Sequence, residues 1–145
     1  SNIHLLGGQE MIQEASATVK KSNSDMILVG VTILTSLNEN NLVDLGFNSS
    51  AEEIAIKLAK LGKQNGVDGV VCSIEDISGI KASLGGDFLS VTPGVRMSQD
   101  NNDQKRSGSI YNAIQFGTDF VVIGREITQA KNPEGVLKKI ESLIV

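Results

Sequence analysis

Apolar positions along this chain follow two rhythms. Short, nearly unbroken runs recur around residues 3–6, 26–34, 69–72, 88–91 and 120–123, each closed by Gly, Thr, Ser or a charged residue. Runs of that length, bounded by turn residues, predict buried strands of a parallel sheet. Between them the apolar residues spread to helical spacing. Met11, Ile12, Ala15 and Val19 predict a helix over 9–21, with Lys20 and Lys21 placed where cations suit a helix C-terminus. Ser50-Ala-Glu-Glu53 reads as a capping box ahead of Ile54, Leu58 and Leu61, with a stop at Gly66. Ile74, Ile77, Ile80 and Leu84 predict a weaker helix, and Ile110, Ala113 and Ile114 another, stopped at Gly117. Asn132-Pro133-Glu134 is a helix start, with Asn as cap, and Val136, Leu137, Ile140 and Ile144 form its buried face. A further short helix is expected within the loop 37–48, around residues 42–45.

Strict alternation of five strands with five helices means an α/β fold with a parallel sheet, and no composition break marks a second domain, so residues 1–145 are expected to form one. Strand starts near residues 3, 26, 69, 88 and 120 give units of roughly 30 residues, the size found when about 250 residues close an eightfold barrel. Five units are then an incomplete (β/α)8 (TIM) barrel, its carboxyl-terminal portion. An open doubly wound sheet is the alternative that five strands can form alone. The chain opens on Ser1-Asn2 and runs at once into a strand, which suggests a fragment, a processed product or a tag remnant.

Composition narrows the partners. The net charge is −4, with four Phe, one Tyr and no Trp, so neither a basic patch nor stacking aromatics are available for a nucleic acid. No apolar run approaches the roughly 20 residues that span a bilayer, and a cytoplasmic protein is expected. The single Cys72 follows Val70 and Val71 and reads as a buried structural thiol. His4, the one His, has no visible partners for a metal site or a triad and is expected to be a hydrogen-bonded core residue. Asp68, Asp87 and Asp119 precede strands and read as turn residues.

The chemistry gathers at the other strand ends. Ser90-Val-Thr-Pro-Gly-Val-Arg96 and Phe120-Val-Val-Ile-Gly-Arg-Glu126 each close a strand with a Gly and an Arg, and the carboxyl ends of adjacent parallel strands face one crevice. Arg96 and Arg125 would converge there, with Gln104 between them. Two guanidinium forks suit a phosphate, and backbone N–H groups just after Gly124 would add donors if a helical turn begins there. Phosphates in barrels commonly sit after the last two strands, which is where both Arg would fall. Solvated loop arginines paired with carboxylates are the alternative.

His4 with Gly7-Gly8, Val31-Thr-Ile-Leu-Thr-Ser36, Gly66-Val-Asp-Gly-Val-Val-Cys-Ser73, Thr92-Pro-Gly-Val-Arg96, Asp103-Gln-Lys-Arg106 and Val122-Ile-Gly-Arg-Glu-Ile-Thr128 together resemble the bacterial orotidine 5′-monophosphate decarboxylases. The resemblance covers essentially the whole chain, and the order and spacing of the strings are specific. Hexulose-phosphate synthases share the barrel but match these strings less well. The resemblance implies that Arg96, Gln104 and Arg125 hold the phosphate of orotidine monophosphate or UMP with the backbone of Gly124, and that Thr35 lies near the pyrimidine and ribose. It implies a reaction without metal or organic cofactor, in which a Lys protonates the C6 carbanion left by carbon dioxide. It also implies a dimer. The family's Asp-x-Lys-x-x-Asp string is absent, the nearest text being Asp103-Gln-Lys105-Arg-Ser-Gly108, so no catalytic residue is assigned within this chain. A non-catalytic nucleotide or phosphate binder is therefore the alternative function. In either case the two open sheet edges are expected to be covered, by a second copy or by an amino-terminal half.

Overall fold

The computed structural model describes residues 1–22, 25–97 and 108–144. Five parallel strands form one sheet: β1 (Asn2–His4), β2 (Val29–Val31), β3 (Gly69–Val71), β4 (Leu89–Pro93) and β5 (Phe120–Val122). Their spatial order is their chain order, β1-β2-β3-β4-β5. A doubly wound sheet reverses its strand order at a switch point, whereas a barrel wall adds each strand beside the last. The sequential order therefore decides for the barrel wall.

The helices return the chain between strands. They are α1 (Gly8–Lys21), α2 (Glu39–Asp44), α3 (Ala51–Gln64), α4 (Ile77–Leu84), α5 (Ile110–Gln115), α6 (Arg125–Thr128) and α7 (Pro133–Ile144), with a 3-10 turn at Leu5–Gly7. Local chemistry sets several boundaries. Ser50 Oγ accepts from Glu53 N at 3.2 Å, and Asn132 Oδ1 accepts from Gly135 N at 3.0 Å. The reciprocal capping box, with both halves formed, belongs to α2, where the Asn38 and Asn41 side chains each accept from the other's backbone N–H. α4 begins at Ile77, because Ser73–Asp76 is taken up by a turn in which the Asp76 carboxylate accepts from Ser73 N at 3.2 Å.

Strand registers divide the side chains into two faces. Gly30, Val70 and Ser90 lie in one row and Thr32, Cys72 and Thr92 two residues on, and all six are buried against the helices. Gly30 is required here by Leu5, since a Cβ on it would collide with the Leu5 side chain. The other face carries Val31, which is buried, with Val29, Val71, Leu89 and Val91, which are half-buried, and Phe120 and Val122, which are exposed. That second face corresponds to a barrel interior, where layers of such side chains from all strands would fill the lumen.

Three expectations change. The run over 26–34 pairs as a strand only at Val29–Val31, and Met26, Ile27 and Leu34 are exposed. Its neighbours β1 and β3 are themselves three residues long, so ladder bonds stop at Leu28 and Thr32. His4 is exposed rather than buried, because it sits on edge strand β1, whereas its register partner Val31 on inner strand β2 is buried. Asp68 and Asp119 do more than turn the chain: their carboxylates accept from Leu28 N and Ser90 N respectively, joining neighbouring strands at the amino end of the sheet. Cys72 is buried as expected, and that burial pushes its thiol up to about 12.

Candidate functional site

The carboxyl ends of β4 and β5 carry the two arginines. The ladder ends with Thr92 opposite Val121 and Pro93 opposite Val122. Arg96 and Arg125 each follow three residues later, past the carboxyl ends of these two paired strands. Beyond the ladder the two segments are held separately. Gly94 turns the chain with a φ of +76°, a left-handed value that favours glycine. Arg96 then bridges to Ser109: Arg96 N donates to Gly108 O at 3.1 Å, and Ile110 N donates to Arg96 O at 2.9 Å. Ser109 in turn caps α5, its Oγ accepting from Asn112 N at 3.2 Å.

After β5, Gly124 begins the short turn of α6, its carbonyl accepting from Ile127 N at 2.9 Å and Thr128 N at 3.1 Å. A Cβ on Gly124 would meet nothing within 4 Å, so the space over this backbone is open. Arg125, the first residue of α6, is exposed, and Arg96 is half-buried. The two segments are tied by Glu126, whose Oε2 accepts from Met97 N at 3.0 Å.

The structure thus puts Arg96, Gly124 and Arg125 beyond the carboxyl ends of two paired strands. Thr35 lies half-buried four residues past β2, and is separated from β4 by β3. Gln104 lies outside the described residues, as do Lys105 and Arg106. Among the described residues no group of three or more His, Cys, Asp or Glu could hold a metal ion. Sequence reasoning missed Glu126 as a structural partner, since nothing local marks a carboxylate that bonds 29 residues back.

A family profile described as orotidine 5′-phosphate decarboxylase / HUMPS matches residues 1–140. The chain belongs to this family. It is 41% identical over 144 residues to the orotidine 5′-phosphate decarboxylase of Hydrogenovibrio crunogenus, covering 99% of this chain and 61% of that protein. The Vibrio parahaemolyticus protein of the same name is 43% identical over 141 residues, covering 96% and 60%. The crystal structure of orotidine 5′-phosphate decarboxylase from Lactobacillus acidophilus superposes with a TM-score of 0.82 at 30% identity, over 98% of this chain and 61% of that one. The Sulfolobus solfataricus structure, at 18% identity and a TM-score of 0.70, shares the fold. The chain spans about three fifths of the length of these relatives. Five βα units of an eight-unit barrel are the same fraction, so the sheet is an incomplete barrel wall of this family.

Proposed function

We propose that this chain supplies the phosphate-binding portion of an orotidine 5′-phosphate decarboxylase, which converts orotidine monophosphate to UMP and carbon dioxide in pyrimidine biosynthesis. The observation that supports the reading is that Arg96 and Arg125 lie just beyond paired strands β4 and β5, on segments tied by the Met97–Glu126 hydrogen bond and beside the open backbone of Gly124. Two guanidinium groups on one rim match the oxygens of a phosphate dianion. In this reading Arg96, Arg125, Gln104 and the Gly124 backbone grip the phosphate, and Thr35 stands toward the ribose and pyrimidine. Grip on a group remote from C6 supplies binding energy that is expressed in the transition state.

The chemical step breaks the bond from C6 to the carboxylate, leaves the electron pair on C6 and delivers a proton there from a Lys ammonium. This sequence lacks the family's Asp-x-Lys-x-x-Asp string, so the proton donor is not assigned to it. The reaction as proposed uses neither metal nor organic cofactor. The reading includes a cytoplasmic location and no nucleic-acid or membrane partner; no described helix is long and apolar enough to cross a membrane.

Association belongs to the same proposal. β1 and β5 are the sheet edges, and Phe120 and Val122 on β5 are 53% and 47% exposed. Unpaired edges beside apolar surface invite pairing, so a second copy, or an amino-terminal half, would cover them. A monodisperse monomer of 145 residues in sedimentation would rule this out.

Calorimetry with UMP tests the grip. Arg125→Ala is expected to weaken UMP by about 30-fold, the equivalent of ~2 kcal/mol for a lost charge-assisted contact. Unchanged affinity would remove the reading. If UMP binds but orotidine monophosphate persists when an amino-terminal half carrying the missing string is added, the non-catalytic binder takes its place.

A further inference from the structure

We propose that Glu126 is a positioning residue that sets the spacing of Arg96 and Arg125, an inference that rests on the phosphate reading above. The β4–β5 ladder ends at Pro93, and Pro93 has no N–H with which to continue it. Three residues on each side then lead to the arginines without ladder pairing. Among the described residues β5 pairs in the sheet with β4.

The backbone groups of Arg96 are both engaged with the start of α5, its N–H by Gly108 O and its carbonyl by Ile110 N. Those bonds fix Arg96 relative to α5. Glu126 joins the same segment to the β5 side. Its Oε2 takes the N–H of Met97, the residue after Arg96, at 3.0 Å, and Glu126 itself is the residue after Arg125. One hydrogen bond therefore joins the two chain segments within one residue of each arginine. Glu126 and Met97 are both half-buried, so the bond is partly shielded from competing water.

A carboxylate beside two arginines repels an incoming phosphate dianion, so by charge alone Glu126 works against binding. What it offers in return is geometry: two cationic groups set before the ligand arrives, which lowers the ordering cost of binding. A Gln at the same position would keep an oxygen acceptor for Met97 N–H without the repulsion.

The test is calorimetry of the protein as its gene encodes it, with UMP and with uridine, which lacks the phosphate. Glu126→Ala is expected to weaken UMP about tenfold, a loss of ~1.4 kcal/mol, and to leave uridine unchanged. Glu126→Gln is expected to bind UMP at least as tightly as the parent. Unchanged UMP affinity in Glu126→Ala, or an equal loss of UMP and uridine, overturns the positioning role. So does a Glu126→Gln protein as weak as the Ala variant. Arg125→Ala run alongside separates the two ideas: no loss of UMP there removes the phosphate grip itself, whereas loss there with none in Glu126→Ala removes only the positioning.

Discussion

Asp119 offers the clearest quantitative test of how the barrel wall is held at its amino end. Its Oδ2 accepts from Ser90 N at 2.7 Å, from Ser90 Oγ at 2.9 Å and from Lys81 Nζ at 2.7 Å. Ser90 is fully buried, and its Oγ accepts in return from Asp119 N at 3.2 Å. Lys81 Nζ also donates to Gly86 O at 2.8 Å and Phe88 O at 2.9 Å, so one carboxylate organises the end of α4, the start of β4 and the start of β5. Asp119→Ala leaves Ser90 N–H without its acceptor, a cost of about 1–3 kcal/mol for a buried donor. The Asp119 side chain is 31% exposed, so water partly replaces it and the lower half of that range applies. The lost ion pair to Lys81, itself 14% exposed, adds about 1 kcal/mol. The expected total is about 2–3 kcal/mol, read as a lower urea midpoint at pH 7 with unchanged slope. Asp119→Asn keeps an acceptor for Ser90 and should lose about half as much. The exposed Asp87→Ala should stay within about 0.5 kcal/mol. A loss below about 0.5 kcal/mol in Asp119→Ala would refute the reasoning.

The same site has a pH signature. Partial burial alone would raise the Asp119 pKa, but the Lys81 hydrogen bond, the Ser90 N–H and hydroxyl and the Lys81 charge together hold it below its ordinary value of 3.8. A carboxyl depressed on folding contributes stability that is fully present above the ordinary value and is lost as pH falls through the lowered one. The stability gap between parent and Asp119→Ala should therefore be flat from pH 7 to about 5 and narrow below about 4.

Two further outcomes follow from named contacts. Gly124→Ala adds a methyl that meets nothing within 4 Å, and it should weaken UMP because that methyl occupies the open space over the backbone; equal UMP affinity would show that the ligand does not approach this backbone. Cys72, about 1% exposed with its thiol pushed up to about 12, should resist alkylation at pH 8 in the native protein and react once unfolded; rapid native labelling would contradict its burial.

What the sequence determined by itself was local. Helical spacing in α3 and α7 and the caps Ser50 and Asn132 depend on neighbours within four residues, so they stand in the text of the chain and in the fold alike. The Gly-then-Arg ending of two strands was also legible, because each is a contiguous string. Tertiary structure decided the rest, since strand length and burial depend on partners far along the chain. The nine apolar residues over 26–34 yield a paired strand of three because β1 and β3 extend no further. His4 and Phe120 are exposed because they fall on edge strands, which no local pattern records. Asp119 reads as a turn residue until Ser90, 29 positions earlier, is brought against it. Arg96 and Arg125 come to follow neighbouring strand ends only through the register of β4 with β5, and Glu126 meets the Met97 N–H only when that residue arrives beside α6.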